Sequence, residues 1–425
     1  MYTSPGYSGT EIWGKIVPPH PLLGYGLALE EHNLLTLITY SQTAEEPDVV
    51  SLYLTFTHFP SGAPHPEATK PTILIHKAPI GSRPPSSSVE VHGNTLLLTL
   101  AYRDAHPEGL DTLYVFDWKA GNKLQLPFST STYITSPGLA FITPCFVGIP
   151  NSAQCSLDLL LVPPDIENAC LEHSFQLPPI RDGLTISYFR CRAAPALRPD
   201  TAYTSPSTPA FLADPSTSLI LFILEVEEGP ERPYQYYLVI DRHAFLQNLR
   251  IPLSSGVAHN RIPWSEWGPS CARWLPGSNL GVHSAAFAYG SKLVSIHRDA
   301  ATDGKGSPIR ILDFNLQRVK DAMAAGPRSS TSGAFVRPCY ANIGSFARSA
   351  AGSALTAQDE GQELDARLQP PDGPFTERVE SALPYVEIFS GTYHDYDGVE
   401  MNNESIIGTK MVDGKASSLE VLYFG

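Results

Sequence analysis

Apolar positions in this chain come in short runs of mostly five to eight residues, set apart by clusters of Gly, Pro, Ser, Asn and Asp. The runs are rich in Val, Ile, Leu, Tyr, Phe and Thr, the composition of strands. They fall at 34–40, 51–56, 72–76, 95–102, 113–118, 157–162, 185–191, 219–226, 236–241, 285–289, 292–297 and 309–314. Three more lie near 386–389, 405–410 and 419–424. The most telling is the stretch 111–124. Leu113, Val115 and Asp117 fall on one side of an extended chain, and Tyr114, Phe116 and Trp118 on the other. Both sides are largely apolar, which suits a strand held between two neighbouring sheets. Ala120-Gly121-Asn122 then reverses the chain, and Leu124 and Leu126 begin another strand.

An Asp-Trp pair that closes a strand before a Lys-x-Gly-like turn is how many blades of WD-type β-propellers end. Sandwiches and barrels rarely need so many strands in one domain. Four strands per blade over this length give about six or seven blades. The expected fold is therefore all-β: one WD-like β-propeller domain across 1–425, complete or short of an early blade at its N-terminus. Helical patterns are sparse. Phe314, Val319 and Met323 share a stripe over 314–323, and 241–249 is a short helix capped by Asp241. Both follow a strand that ends in Asp and decorate a blade. Stretches 78–88 and 193–209 read as loops, and 345–376 as a mobile insertion.

Composition narrows the function. Of 425 residues, 42% are apolar and 17% charged, a chain able to build a core. The 39 prolines favour turns over long helices. A formal charge of −14 and the lack of any basic run argue against nucleic acid as partner. The first residues carry no basic or apolar targeting pattern, and no apolar stretch reaches the ~20 residues of a membrane helix. The six cysteines (145, 155, 170, 191, 271 and 339) include no CxxC pair, so reduced thiols in the cytoplasm or nucleus are expected. On that reading Asn403-Glu404-Ser405 is a chance glycosylation match.

Candidate chemistry fails on spacing. Gly6-Tyr7-Ser8-Gly9 is not a nucleophile elbow, and Gly304-Lys305-Gly306-Ser307 lacks the frame of a phosphate loop and reads as a hairpin connection. His65-Pro66-Glu67 lacks the Pro-Cys-x-x-Cys of zinc deaminases, since Pro144-Cys145 continues Phe146-Val147-Gly148. His394-Asp395-Tyr396-Asp397-Gly398 lacks the later ligands of a calcium loop and reads as an Asp-Gly hairpin turn. Glu30-Glu31-His32 suits bonding between blades better than acid–base work. Trp264-Ser265-Glu266-Trp267-Gly268-Pro269 is a binding anchor if exposed and a packing plug if buried. No metal or cofactor is implied.

Several of these segments together resemble the C-terminal region of a large family of basidiomycete F-box proteins. The resemblance runs through Tyr25-Gly26-Leu27-Ala28-Leu29-Glu30-Glu31-His32-Asn33-Leu34-Leu35, then Ser61-Gly62-Ala63-Pro64-His65-Pro66-Glu67-Ala68, then 113–121. It continues at Ile262-Pro263-Trp264-Ser265-Glu266-Trp267-Gly268-Pro269, Ile311-Leu312-Asp313-Phe314-Asn315, Leu383-Pro384-Tyr385, Tyr396-Asp397-Gly398-Val399 and Ile406-Ile407-Gly408. It marks 419–425 as a native last strand. It implies the substrate-recognition region of a Skp–cullin–F-box ubiquitin ligase subunit. The Leu-rich helical F-box itself has no counterpart here. Leu383-Pro384-Tyr385-Val386-Glu387 imitates only its opening, because β-type residues follow.

The sequence thus points to a non-catalytic, monomeric protein-binding module whose partner it does not name. The contact residues expected on loops are Trp264, Glu266, Trp267, Tyr393, His394, Asp395, Asp104 and His106. The competing expectation is an enzyme with His, Asp or Glu side chains converging in a central channel.

Overall fold

A computed structural model describes residues 16–42, 48–59, 61–79, 85–101, 112–127, 138–163, 166–193, 217–227, 234–249, 260–277, 287–296, 306–325, 328–329, 335–339, 374–377, 379–402, 405–412 and 415–423. They form an all-β body of six sheets that follow one another along the chain.

The first sheet is an antiparallel meander of β1 (Leu22–Ala28), β2 (Leu34–Gln42), β3 (Val49–His58) and β4 (Thr72–Pro79). One helical turn, α1 (Leu29–His32), joins β1 to β2 and ends at Asn33 with φ 52°. Asparagine tolerates that left-handed backbone better than most residues do. The second sheet repeats the meander with β5 (Ser86–His92), β6 (Thr95–Ala101), β7 (Thr112–Asp117) and β8 (Asn122–Pro127). After β7 the Asp117 carboxylate accepts the amides of Lys119 and Ala120, at 3.1 and 2.9 Å, and Gly121 turns the chain at φ 74°. The strand ending expected from Asp117-Trp118 is present.

The third sheet holds β9 (Ala140–Phe141), β10 (Phe146–Asn151), β11 (Ser156–Leu161) and β12 (Cys170–Gln176). The fourth begins with β13 (Thr185–Ala193), β14 (Leu219–Glu227) and β15 (Tyr234–Asp241). Next comes α2 (Arg242–Asn248), capped by Asp241 through the Ala244 amide at 2.7 Å. The chain then returns to the third sheet, where β16 (Asn260–Ile262) lies parallel to β12. Helix α3 (Trp264–Cys271) carries it back to β17 (Ala272–Pro276), on the edge of the fourth sheet. The fifth sheet has β18 (Phe287–Tyr289), β19 (Lys292–Ile296) and β20 (Ser307–Asp313). After α4 (Leu316–Ala325) it adds β21 (Arg328–Ser329), β22 (Phe335–Cys339) and β23 (Tyr385–His394), in the order β18-β19-β20-β23-β22-β21. The sixth has β24 (Gly398–Met401), β25 (Ser405–Val412) and β26 (Lys415–Tyr423).

Consecutive sheets share apolar clusters, and β6, β7, β11, β14 and β15 each serve two of them. Tyr114, Phe116 and Trp118 pack with Leu34, Ile38 and Phe56 between sheets one and two. Leu113 and Val115 pack with Val147 and Leu160 between sheets two and three. Phe175 shares the third junction's cluster with Phe222 and Trp274, Leu221 the fourth's with Leu312, and Ile309 the fifth's with Val399. The two-sided alternation read from 111–124 is therefore what joins one sheet to the next.

The first strands of the first two sheets, β1 and β5, approach closely. A Cβ on Gly26 of β1 would sit 2.6 Å from the Val89 Cβ of β5, and one on Gly24 would collide with the Ser87 hydroxyl. The two glycines let these backbones meet.

Three expectations need correction. The segment 264–271, expected as loop, is a helix, with Pro269 tolerated inside it. Asp-Gly at 397–398 does not close a hairpin, because β23 and β24 belong to different sheets and the turn carries the chain from one to the other. The stretch 78–88, expected as loop, already contains the start of β5. Residues 345–373 lie outside the described residues. At the end of that stretch Phe375 is fully buried, its ring 5.2 Å from Trp274 and 5.7 Å from Tyr236.

Candidate functional site

The residues best equipped for chemistry by type turn out to hold sheets together. At the first junction Trp118 is fully buried and donates its indole N–H to the Gly93 carbonyl at 2.9 Å. His32 lies against the same indole, 5.3 Å between centroids, and pairs with Glu31 at 3.0 Å. Glu31 also accepts the Gly93 amide at 2.7 Å. Burial pushes the Glu31 carboxyl up, but the His32 and Gly93 bonds outweigh it and the group ends below its ordinary value. The acid–His pair of 30–32 thus bonds one sheet to the next. The 61–68 segment does likewise: Glu67 pairs with Lys119 at 2.6 Å, and His65 is held by the His32 carbonyl at 2.9 Å.

Helix α3 directs its aromatics inward. Trp267 is fully buried and bonds the Gln176 carbonyl at 2.9 Å; Trp264 bonds the Glu380 carbonyl at 3.2 Å. Their rings meet edge to face, 4.9 Å apart. Of the trio Trp264, Glu266 and Trp267, only Glu266 reaches solvent.

The second expected group does form a surface patch. Tyr393 is 59% exposed at the end of β23. His394 stacks on Tyr396, 4.9 Å between centroids and 18° between planes. Asp395 pairs with Lys410, and Tyr396 donates to Glu420 at 2.6 Å. Burial and the Glu420 bond push the Tyr396 hydroxyl up, so it stays a neutral donor. Gly408 lies under the Tyr396 ring, where any side chain would collide with it. The result is an aromatic surface edged by opposite charges at the fifth junction. Asp104 and His106 lie outside the described residues.

A group not foreseen in the sequence lies on β5, β13 and β24, the first strands of the second, fourth and sixth sheets. Alternation on β13 places Tyr188, Arg190 and Arg192 on one side and Phe189 and Cys191, both buried, on the other. Arg192 is affected by Glu90 on β5 and Glu400 on β24 as well as by Arg190 and Tyr188. The charges of Glu90 on the second sheet and Glu400 on the sixth thus act on Arg192 of the fourth. Gly138, two residues before β9, lies so close to the Arg190 side chain that no Cβ would fit. Burial pushes the Glu90 carboxyl up to about 7, while Arg190 and Arg192 pull it back. Burial also lowers Arg192, with Arg190 adding to the effect. The Arg190 Nε is buried and finds no hydrogen-bond partner among the described residues. The signal for this cluster was present in the alternation Tyr188-Phe189-Arg190-Cys191-Arg192, where charge recurs on one side of a strand.

No family model matches the chain, and no curated protein does. Among solved structures, the WD40 domain of SCAP from fission yeast is similar over 67% of this chain and 59% of its own, at 13% identity and a TM-score of 0.33. The chain thus spans 59% of that domain's length. A functionally unknown protein from Desulfotomaculum acetoxidans is similar over 71% of this chain and 84% of its own, at 11% identity and a TM-score of 0.25. Hsv2p of Kluyveromyces lactis is similar over 70% of this chain and 95% of its own, at 10% identity and a TM-score of 0.19. These likenesses are too loose to bear on fold or function, which rest on the pairings and contacts above.

Among the described residues no group of three His, Cys, Asp or Glu side chains is placed to hold a metal ion. Burial pushes the thiols of Cys155 and Cys271 up to about 12, and Cys191 well above its ordinary value, which favours the protonated thiol at all three.

Proposed function

We propose that the six sheets stand around one axis as the blades of a β-propeller and that the body is a non-catalytic protein-binding module. The observation that carries this reading is the electrostatic meeting of Glu90, Arg192 and Glu400, which come from alternate sheets of the series. Sheets stacked in a straight row would keep their inner strands apart. Sheets disposed radially bring them together. The paired Arg190 and Arg192 make the axis suited to an acidic group of a partner, and the Tyr393–His394–Tyr396 patch offers a second contact.

The test is capture by the immobilised full chain from a basidiomycete lysate, read by mass spectrometry. Arg190→Ala/Arg192→Ala and Tyr393→Ala/His394→Ala variants are run beside the parent. Proteins held by the parent and lost from a folded variant support the module. An identical catch from all three chains overturns it. Skp and cullin subunits in the specific catch would extend the reading to the ligase role that the family resemblance implies.

A second reading, a propeller enzyme, is favoured by one observation. Glu90 is an acid that titrates near neutrality beside two arginines, as a general acid or base does. Turnover of a substrate panel that is abolished by Glu90→Gln would reverse the order of the two readings.

A further inference from the structure

Alternation on β13 places Arg190 and Arg192 on one side of the strand, about 6–7 Å apart along it. Like charges at that spacing repel unless an anion offsets them. The acids that act on Arg192 are Glu90 of β5 and Glu400 of β24. Glu90, Arg190 and Arg192 are half-buried and Glu400 is exposed, so all four are open in part to a solute.

Arg190 is seated before any ligand arrives. A Cβ at Gly138 would collide with its Cγ and lie 2.8 and 2.9 Å from the Cys191 nitrogen and oxygen, so the bare backbone at 138 makes room for the arginine stem. The Arg190 Nε is buried with no hydrogen-bond partner among the described residues, which leaves the guanidinium short of acceptors. A seated guanidinium loses less rotamer freedom on binding, and its planar fork matches a carboxylate.

We propose that Arg190 and Arg192 form a binding site for a carboxylate of a protein partner, as an Asp or Glu side chain presents it, and that this carboxylate displaces Glu90 as their counter-ion. The proposal rests on the binding-module reading above and names the chemistry that its axis takes. Charge selects the anion. With Glu90 protonated, the two guanidinium groups face one carboxylate, Glu400, and a single positive charge is left over. A carboxylate balances it, whereas a phosphate dianion leaves an excess of negative charge in half-buried surroundings.

The groups that face Glu90 fix the proton that accompanies binding. Arg190, Arg192 and the Cys191 thiol face it from β13, and β6 sets Leu97 beside it. On β5 itself His92 recurs on the same side, with its ring 5.4 Å from Phe141. Tyr188 and Glu400 act on Arg192, and Arg242 of α2 acts on Cys191. Burial pushes the Glu90 carboxyl up to about 7 against the pull of the two arginines. A bound carboxylate cancels that pull, so Glu90 holds its proton more firmly in the complex. Binding near and above neutrality thus takes up to one proton, and affinity falls as pH rises.

Acetate labelled with carbon-13 is the probe, titrated into the full chain and followed by NMR line broadening, with inorganic phosphate and chloride as competitors at matched ionic strength. Acetate is expected to bind about tenfold more tightly at pH 6 than at pH 8, and neither competitor displaces it at equal concentration. Arg190→Ala/Arg192→Ala should abolish binding, and Glu90→Gln should bind acetate equally at both pH values. If the double variant does not fold, Arg192→Gln alone should weaken acetate about tenfold. Absence of acetate binding in the parent overturns the proposal, as does displacement by phosphate or a pH dependence that survives Glu90→Gln. The capture experiment separates the two readings. A specific catch without acetate binding leaves the module and removes the carboxylate, and acetate binding with no catch leaves a site for a free carboxylate and removes the protein partner.

Discussion

The His65 imidazole stands edge-on to the Trp118 indole, 4.9 Å between ring centroids and 87° between planes. His65 is on the β3–β4 connection of the first sheet and Trp118 directly follows β7 of the second. Their contact closes the top of the first junction, with His32 at 5.3 Å and Phe56 at 5.9 Å from the same indole. Truncation of Trp118 to Ala is expected to cost about 3–5 kcal/mol. Trp118→Phe keeps most of the packing but leaves the Gly93 carbonyl without its donor, for about 1–3 kcal/mol. Urea denaturation followed by tryptophan fluorescence and circular dichroism measures both.

Gly26 tests the close approach of β1 to β5. A Cβ there would sit 2.6 Å from the Val89 Cβ and 2.7 Å from the Thr36 Oγ1. Gly26→Ala should destabilise by about 1–3 kcal/mol through overpacking, although alanine is no worse a strand former. The double variant Gly26→Ala/Val89→Ala should recover part of that loss, because the Val89 Cγ1 methyl nearest the added Cβ is gone while the Val89 Cβ stays. Absence of recovery in thermal melts would place the strain elsewhere.

Arg310 and Glu387 form a buried pair in the fifth sheet, with 2.5 Å between Arg310 Nε and Glu387 Oε1 and side-chain exposures of 5% and 2%. Removing one partner leaves a charge in the interior. Glu387→Ala is therefore expected to lose about 3–5 kcal/mol, and the Arg310→Met/Glu387→Leu double variant much less. A double-mutant cycle in urea separates the coupling from the two desolvation costs.

Glu90 predicts a pH dependence of definite sign. Its carboxyl titrates near 7 in the folded chain, against an ordinary 4.5. Between those values the unfolded chain has released the proton and the folded chain still holds it. Stability therefore falls as pH rises through that window and levels off above about 7, by at most about 3 kcal/mol and less where solvent reaches the carboxyl. Glu90→Gln should remove this slope. If the difference in stability between parent and variant is the same at pH 5 and pH 7.5, the burial assigned to Glu90 is incorrect.

Strand positions were legible wherever apolar side chains alternate to two sides. Both faces of β7 and β14 are spent on junctions, and both strands stand out in the sequence. Strands with mixed faces were hidden. Ser86-Ser87-Ser88 looks like loop composition, yet Ser87 of β5 lies directly against Gly24 of β1. The helix at 264–271 was masked by Gly268 and Pro269. It forms because its two indoles have burial sites and carbonyl partners on other elements, which local propensity does not register. The site divides the same way. Exposure of Tyr393 follows from its place at a strand end. The coupling of Arg192 to Glu90 and Glu400 joins residues from three different sheets, and only the order of the sheets brings them together.

The return of β16 to the third sheet, with α3 leading on to β17 of the fourth, threads one length of chain through both. Neither can be peeled away without drawing Trp267 off the Gln176 carbonyl and Ile262 off Phe175. In native-state hydrogen exchange their amides should open together as one cooperative unit, slower than those of the sixth sheet. Mechanical or chemical unravelling of this chain would then proceed from its ends and stall at the middle.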